Sequence, residues 1–284
     1  PAEQGASWHA ERRAEGHAEG RPGAALIGQR ALELAHHWEG TRWVQRALEE
    51  APNDEARQLI VERIRGHVWE VVQCPHANHV LQAYIVTTKA RDCQFVIDEV
   101  LARPAGPALL ARHRYAYRVL QRMLEHLQQD QMFPVIDCLA ECTAPLAAHR
   151  CGSFVMQHCL RYGSDAHRRR IVAALVPHVA RLCRNNDACM VFDVGLADDL
   201  PDVRARLGQA ILESRGTLAA MAHTRRGHSV VVSLLQLADG PAFEAAAWQL
   251  FKQEDTLKKK RFGRVVLAFL RQRRGLAAAA GAGG

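Results

Sequence analysis

The stretch His76-Ala-Asn-His-Val-Leu-Gln82 decides the fold, because its central five residues belong to a motif that returns along the chain. Seven such five-residue motifs begin at Thr41, Asn78, Tyr117, Ser153, Ala188, His228 and Arg264. Their starting positions are separated by 37, 39, 36, 35, 40 and 36 residues. A period of this length is typical of repeat proteins in which each repeat is one small structural unit. We number the motif residues one to five.

Positions three and four of the motif are apolar in all seven copies. A large apolar residue usually follows four residues after position four, as in the pairs Leu81/Ile85 and Leu120/Leu124. This spacing places an apolar stripe on one face of a helix and predicts that positions one, two and five project together from another face. Because one repeat cannot bury its stripe alone, the pattern predicts an all-α solenoid of stacked repeats.

The first four motifs share a polar pattern at positions one, two and five. Position five is always glutamine, and position two is a planar arginine, histidine or phenylalanine. The residues at positions one, two and five are Thr41/Arg42/Gln45, Asn78/His79/Gln82, Tyr117/Arg118/Gln121 and Ser153/Phe154/Gln157. Amide and hydroxyl groups can bind a base edge while a planar group stacks on base faces, so the pattern is typical of reading RNA one base per repeat. In contrast, Trp43 at a third position is expected to lie in the core.

Composition favours a polyanionic partner. The 284 residues are 48% hydrophobic and include 37 Lys and Arg against 30 Asp and Glu, a net charge of +7. There is no apolar run of membrane-spanning length and no secretory leader pattern, so we expect no membrane association. The eight cysteines lack the paired spacing of a zinc site and are expected to be reduced thiols in an intracellular protein.

Nothing in the chain resembles catalytic machinery. The fifteen histidines form no His-Glu-x-x-His motif, and there is no Gly-rich phosphate loop or nucleophile elbow. We therefore expect no enzyme activity, no metal and no cofactor. His79 is a stacking candidate, and the other histidines are expected to be surface or capping residues. The run Arg168-Arg-Arg170 is expected to be a solvated helix start.

The chain resembles the Pumilio (PUF) family of RNA-binding proteins. The resemblance rests on the segments His76 to Gln82, Arg114-Tyr-Ala-Tyr-Arg-Val-Leu-Gln-Arg122, Cys151-Gly-Ser-Phe-Val-Met-Gln-His158, Glu62-Arg-Ile-Arg-Gly-His-Val68 and Phe262-Gly-Arg-Val-Val-Leu-Ala268. It implies a right-handed crescent of about seven to eight three-helix repeats that binds single-stranded RNA antiparallel to the chain. Family members commonly bind messenger-RNA 3′ untranslated regions and lower translation or stability through recruited effectors, which implies a cytoplasmic monomer with effector sites on the convex face.

The family's base code implies a partial target. Asn78 with Gln82 is expected to read U, and Ser153 with Gln157 to read A. Thr41 with Gln45 is expected to read A, and Tyr117 with Gln121 has no clear assignment. Because the RNA runs antiparallel, the resemblance predicts the element A-n-U-A, written 5′ to 3′.

The last three motifs depart from the family pattern. Residues Ala188/Cys189/Phe192, His228/Ser229/Val232 and Arg264/Val265/Ala268 contain neither a Gln or Glu at position five nor a planar group at position two. Two alternatives follow: a low-specificity RNA binder of ribosome assembly in the nucleus or nucleolus, and an α-solenoid that binds proteins. The C-terminal basic residues Lys258, Lys259, Lys260, Arg261 and Arg264 are candidates for RNA-backbone contact.

The repeats are expected to occupy residues 24–274. Residues 1–23 and the Ala/Gly-rich residues 275–284 are expected to be disordered tails.

Overall fold

The regular structure is entirely helical in the computed structural model, which describes residues 24–281. The helices are α1 Ala24–Gln29, α2 Ala31–His36, α3 Gly40–Glu50, α4 Asp54–Val61, α5 Val68–Gln73, α6 Asn78–Thr87, α7 Gln94–Leu101, α8 Gly106–Arg112, α9 Ala116–His126, α10 Phe133–Glu141, α11 Thr143–Ala147, α12 Gly152–Tyr162, α13 Asp165–Leu175, α14 Val179–Leu182, α15 Asn186–Leu196, α16 Pro201–Glu213, α17 Thr217–Ala222, α18 Gly227–Leu237, α19 Gly240–Phe251, α20 Glu254–Lys258 and α21 Arg261–Gly281. Two 3₁₀ turns cover Ala90–Cys93 and Val176–His178. The prediction of an all-α fold is confirmed.

The first six repeats follow one plan: a short first helix, a longer second helix that carries the motif, and a third helix, whereas the seventh has only the first two among the described residues. We call the second helices motif helices; they are α3, α6, α9, α12, α15, α18 and α21. The described helices form two compact units. In the first unit (residues 24–106 and 113–132), α6 packs between α3 and α9; in the second (residues 107–112 and 133–281), α12, α15, α18 and α21 pack in sequence. The stacking predicted from the period is therefore present in each unit.

The apolar stripe forms the core of both units. Position four is buried in all seven motif helices, and position three is buried in all except Trp43 and Met190, which are half-buried. The expectation that Trp43 lies in the core is therefore only partly correct. An indole is so large that it is seldom covered completely even when most of its surface is packed.

The motif helices begin very close to the preceding first helix. A β-carbon on Gly152 would lie 2.7 Å from the carbonyl oxygen of Leu146 in α11, closer than such atoms approach in proteins. Glycine also precedes position one in the first, sixth and seventh motifs. The close approach leaves little space around the side chain at position one.

The last helix is longer than the sequence suggested. It continues to Gly281, so residues 275–281 of the expected C-terminal tail are helical. Alanine has the highest helix propensity of the amino acids, and the run of four alanines after Leu276 can extend a helix that packing has already started. The expected N-terminal tail, residues 1–23, lies outside the described residues. None of the described helices is long and apolar enough to span a membrane.

The arginines at the start of α13 are not simply solvated, as the sequence suggested. Arg168 forms ion pairs with Asp165, with Asp198 at 3.0 Å and with Asp199, and its side chain is only 14% exposed. Arg169 pairs with Asp202 and Arg170 with Asp137, at 2.7 and 2.6 Å. The pairs of Arg169 and Arg170 join third helices of neighbouring repeats, and Arg168 reaches Asp198 and Asp199 in the turn before α16.

Candidate nucleic-acid interface

The side chain of Gln82 is held in place by the residue one helical turn before it. Its Nε2 donates a hydrogen bond to Oδ1 of Asn78, at 2.8 Å. Asn78 is fully buried, and its Nδ2 donates to the carbonyl oxygens of Cys74 at 2.7 Å and Pro75 at 3.1 Å. One Nε2 hydrogen and the carbonyl oxygen of Gln82 therefore remain to bind a base edge that has one acceptor and one donor.

Two other position-five glutamines also donate to the residue one turn earlier, but mainly to its backbone oxygen. Gln45 Nε2 donates to the backbone oxygen of Thr41 at 3.0 Å and to its hydroxyl at 3.3 Å. Gln157 Nε2 donates to the backbone oxygen of Ser153 at 3.1 Å. Gln121 is half-buried on the equivalent turn of α9. The motif thus orients its glutamines through bonds within the motif helix.

Position one is less accessible than the sequence suggested. Thr41, Asn78 and Ser153 are buried, whereas Tyr117 is half-buried. The expectation that positions one, two and five all project from the surface is therefore wrong for these three side chains, because the adjoining first helix covers the start of the motif helix. It is also wrong for Gln157 at position five of the fourth motif, which is buried. The hydroxyl of Ser153 is buried and has no hydrogen-bond partner within the described structure, so it offers an unused polar group beside Gln157.

Position two is the exposed member of the motif. Arg42, Arg118 and Phe154 are exposed, and His79 is half-buried. The guanidinium of Arg118 lies 5.7 Å from the ring centroid of Tyr117, and its Nε donates to the Tyr117 hydroxyl at 3.2 Å. Burial, with the nearby charges of Arg118 and His76, lowers the pKa of His79. Planar groups of this kind can stack on nucleic-acid bases.

The last three motif helices cannot present the same groups. Cys189 and Phe192, at positions two and five of the fifth motif, are fully buried, so no ligand can reach them without unpacking α15. In the sixth motif, His228 stacks on Phe262 with ring centroids 4.9 Å apart and planes at 22°. Val265 and Ala268 of the seventh motif are exposed but cannot hydrogen-bond through their side chains.

Histidines cap the motif helices, a role that the sequence indicated only in general terms. Nδ1 of His149 accepts hydrogen bonds from the backbone N–H groups of Cys151 and Gly152, both at 3.2 Å. Nδ1 of His113 accepts from Tyr115 and Ala116 at 3.4 and 3.3 Å. Both histidines stand four residues before position one, which is the sequence signal for this role. Burial and neighbouring arginines lower the pKa of both rings.

The five C-terminal basic candidates differ in their surroundings. Lys258 forms an ion pair with Glu254 at 3.1 Å. Lys259, Lys260 and Arg264 are exposed, and the guanidinium of Arg261 lies 5.9 Å from the ring centroid of Phe262. No group of three or more His, Cys, Asp or Glu side chains is placed to hold a metal ion within the described part of the chain.

The fold and the recurring motif define a helical repeat protein of the α-solenoid class. The family model described as "Pumilio-family RNA binding repeat" matches residues 30–65, 108–140 and 142–176. These stretches contain three of the four glutamine-bearing motifs. Within these three stretches the chain therefore matches Pumilio repeats.

Curated relatives match about half of this chain. A Pumilio domain-containing protein of Schizosaccharomyces pombe is 22% identical over 157 residues, which cover 55% of this chain and 23% of the relative. Pumilio homolog 24 of Arabidopsis thaliana is 28% identical over 145 residues, covering 50% of this chain and 22% of the relative. The chain thus matches less than a quarter of the length of these relatives.

Solved structures confirm the fold. The structure of PUF-8 in complex with PBE-RNA matches with a TM-score of 0.78 and 22% identity, covering 87% of this chain and 72% of that one. The Puf3 RNA-binding domain, bound to a recognition sequence of the Cox17 RNA 3′ UTR, matches with a TM-score of 0.75 and 17% identity, with the same two coverages.

Proposed function

We propose that the protein binds single-stranded RNA through positions one, two and five of its first four motifs. The observation that carries this proposal is the recurrent hydrogen bond from a position-five glutamine to the residue one turn earlier, beside an exposed or half-exposed planar side chain. Holding the amide before binding reduces the side-chain entropy lost on contact with a base. The planar groups supply stacking energy that does not depend on base identity.

Sequence preference arises from positions one and five. A uracil edge offers one imino donor beside carbonyl acceptors, which complements the carbonyl oxygen and remaining N–H of Gln82. Under the family code, Asn78 with Gln82 reads U, and both Ser153 with Gln157 and Thr41 with Gln45 read A. The proposed element is A-n-U-A, with the base at Tyr117 and Gln121 unassigned.

The proposed biological role is post-transcriptional regulation of messenger RNA in the cytoplasm. The Puf3 and Puf4 domains that share this fold are described as bound to 3′ UTR recognition sequences, which supports a 3′ UTR target here. A monomer that leaves its convex face to effector proteins could alter the translation or stability of the bound message.

One observation favours a second candidate function. Because Cys189 and Phe192 are buried, the fifth motif cannot read a base, and the two motifs after it lack glutamine. Such a protein could bind RNA with low specificity, as in ribosome assembly in the nucleolus. A third candidate function is that of a scaffold that binds other proteins.

Selection of bound sequences from a random RNA library, at near-physiological salt, tests the proposal. We expect enrichment of A-n-U-A elements and loss of that enrichment in the triple variant Gln45→Ala/Gln82→Ala/Gln157→Ala. The matched control replaces the exposed glutamines Gln29, Gln236 and Gln253 by alanine. Tight binding without an enriched element supports the low-specificity function, and absence of binding supports the protein scaffold.

A further inference from the structure

A basic residue recurs in the turn that precedes the motif helices. Arginine occupies the place three residues before position one in four of the seven repeats: Arg114, Arg150, Arg225 and Arg261. In the second unit, further exposed basic side chains stand beside this place. We call the resulting set the turn rail; its members are Arg150, Arg184, Arg225, Arg226, Lys260 and Arg261, and all six are exposed.

The turn rail is not neutralised by acids, unlike the other arginine clusters of the second unit. Among residues 24–281, no rail member forms an ion pair, and Asp187 is the one acidic residue in these turns. By contrast, Arg168, Arg271 and Arg274 all pair with carboxylates. Within the described structure, the six members of the turn rail thus keep their charge unpaired, as do the exposed arginines Arg181, Arg206 and Arg215 outside these turns.

Two half-buried histidines lie next to the positive charge of these turns. Burial lowers the pKa of His149, and Arg112 and Arg150 lower it further, although Asp187 opposes them. Burial also lowers the pKa of His223, with Lys260 and Arg184 acting in the same direction. The positive charge of the turn rail thus lowers the pKa of the neighbouring histidines at two places along it.

The rail has the layout of a linear polyanion site. The motif helices α12, α15, α18 and α21 pack side by side, so the turns before them follow at about the separation of packed helices, roughly 8–10 Å. Arg261 lies over Phe262, which itself stacks on His228, so a planar surface adjoins the charges. Positive charges next to aromatic rings can contact both the phosphates and the bases of a nucleic-acid strand.

We propose that the turn rail binds the phosphate backbone of single-stranded RNA without reading its sequence, from the turn before the fourth motif to the start of the seventh. This inference rests on the proposed function and extends it to the repeats that lack base readers. Phosphate contacts contribute affinity and register, whereas base contacts contribute specificity. The first four repeats would then select the RNA sequence, and the turn rail would bind the phosphates of the same strand.

The test measures the dependence of RNA affinity on salt for the variant Arg150→Gln/Arg225→Gln/Arg261→Gln. The matched control, Arg181→Gln/Arg206→Gln/Arg215→Gln, removes the same charge from exposed arginines outside the turns. The probes are a single-stranded RNA containing A-n-U-A, the same composition scrambled, and a duplex of equal length. Each lost phosphate contact lowers the slope of log K against log salt by about 0.7, so the rail variant is expected to lose about 2 from its slope.

We expect the rail variant to bind both single strands more weakly by a similar factor, roughly tenfold or more, while its preference for A-n-U-A is retained. An unchanged slope, or an equal loss in the control variant, would overturn the rail and leave base reading intact. A loss confined to the duplex would overturn the assignment to a single strand. If the unmodified protein binds none of the RNAs, the proposed function and the rail both fail.

Discussion

Gln82 Nε2 lies 2.8 Å from Oδ1 of Asn78, and this hydrogen bond fixes the amide that the second motif offers to a ligand. Asn78 is itself fully buried and bonded to two carbonyl oxygens of the preceding turn. The position-one residue therefore positions its glutamine as well as shaping the base site. This relationship explains why a change at a buried residue should alter RNA selectivity.

Asn78→Ser should move the preference of the second repeat from U towards A, as the family code implies. Asn78→Ala should instead lower affinity for every base at that place, by roughly tenfold, because Gln82 loses its anchor. Competition binding with A-n-U-A and its A-n-A-A variant measures both effects. His228→Ala, at position one of the sixth motif, is the control and should leave the preference unchanged. An Asn78→Ser protein that still prefers U would show that the register of the motif is wrong.

Truncation of the planar side chains should weaken RNA binding in the first four repeats alone. Arg42→Ala, His79→Ala and Phe154→Ala should each cost about 1–3 kcal/mol of binding free energy, since each removes a stacking surface. Val265→Ala changes position two of the seventh motif, where no planar group exists, and should have little effect. Titration of a labelled A-n-U-A strand gives the four free energies. Equal losses at Val265 and Phe154 would argue against stacking.

Restoring glutamine to the fifth motif should damage the protein instead of creating a base reader. Phe192 is fully buried, so Phe192→Gln removes apolar packing and buries an amide, at a cost of about 3–5 kcal/mol in unfolding free energy. The equivalent change Ala268→Gln falls at an exposed place and should be nearly neutral. Thermal denaturation of the two variants provides the comparison. A Phe192→Gln protein as stable as the unmodified chain would mean that α15 packs differently.

Stability should fall as the pH is lowered from about 7.5 to about 5.5. The folded-state pKa of His113 and His149 lies below the ordinary histidine value of about 6.5, so the unfolded chain takes up protons first. Their contribution is present above pH 6.5 and is lost as pH falls towards the folded pKa. Urea unfolding at the two pH values measures the loss.

The double variant His113→Gln/His149→Gln is the control for this effect. Its unfolding free energy should depend less on pH than that of the unmodified protein, because the two histidines with lowered pKa values are absent. His79 and His223 also have lowered pKa values and should preserve part of the slope. Identical pH profiles in the two proteins would contradict the capping role of these histidines.

The ion pairs formed by the arginines of α13 should differ widely in their contribution to stability. Arg168→Ala leaves the carboxylate of Asp198, whose side chain is 2% exposed, without its charged partner, and should cost roughly 2–3 kcal/mol. Arg170→Ala breaks a half-exposed pair with Asp137 and should cost under about 1 kcal/mol. Urea unfolding of both variants decides the order. Equal costs would show that the burial of Asp198 has no energetic consequence.

The repeat architecture was readable from the sequence because it depends on local periodicity. The seven motifs, their apolar positions three and four and the recurrent glutamine are properties of residues close together in the chain. The same regularity identified Arg42, His79, Arg118 and Phe154 as candidates for stacking, and these side chains are exposed or half-exposed. Periodicity therefore determined the helical class and the register of the candidate site.

The tertiary structure decided which of those positions a ligand can reach. Burial depends on the helix that packs across a residue, and that helix comes from elsewhere in the chain, so Asn78, Ser153 and Phe192 are buried although their places in the motif suggested exposure. The pairing of charges also needs distant partners: Arg168 meets Asp198, whereas Arg150 meets no acid among the described residues. Sequence alone determined the order of the chemical groups, and packing between repeats decided which remain free to act.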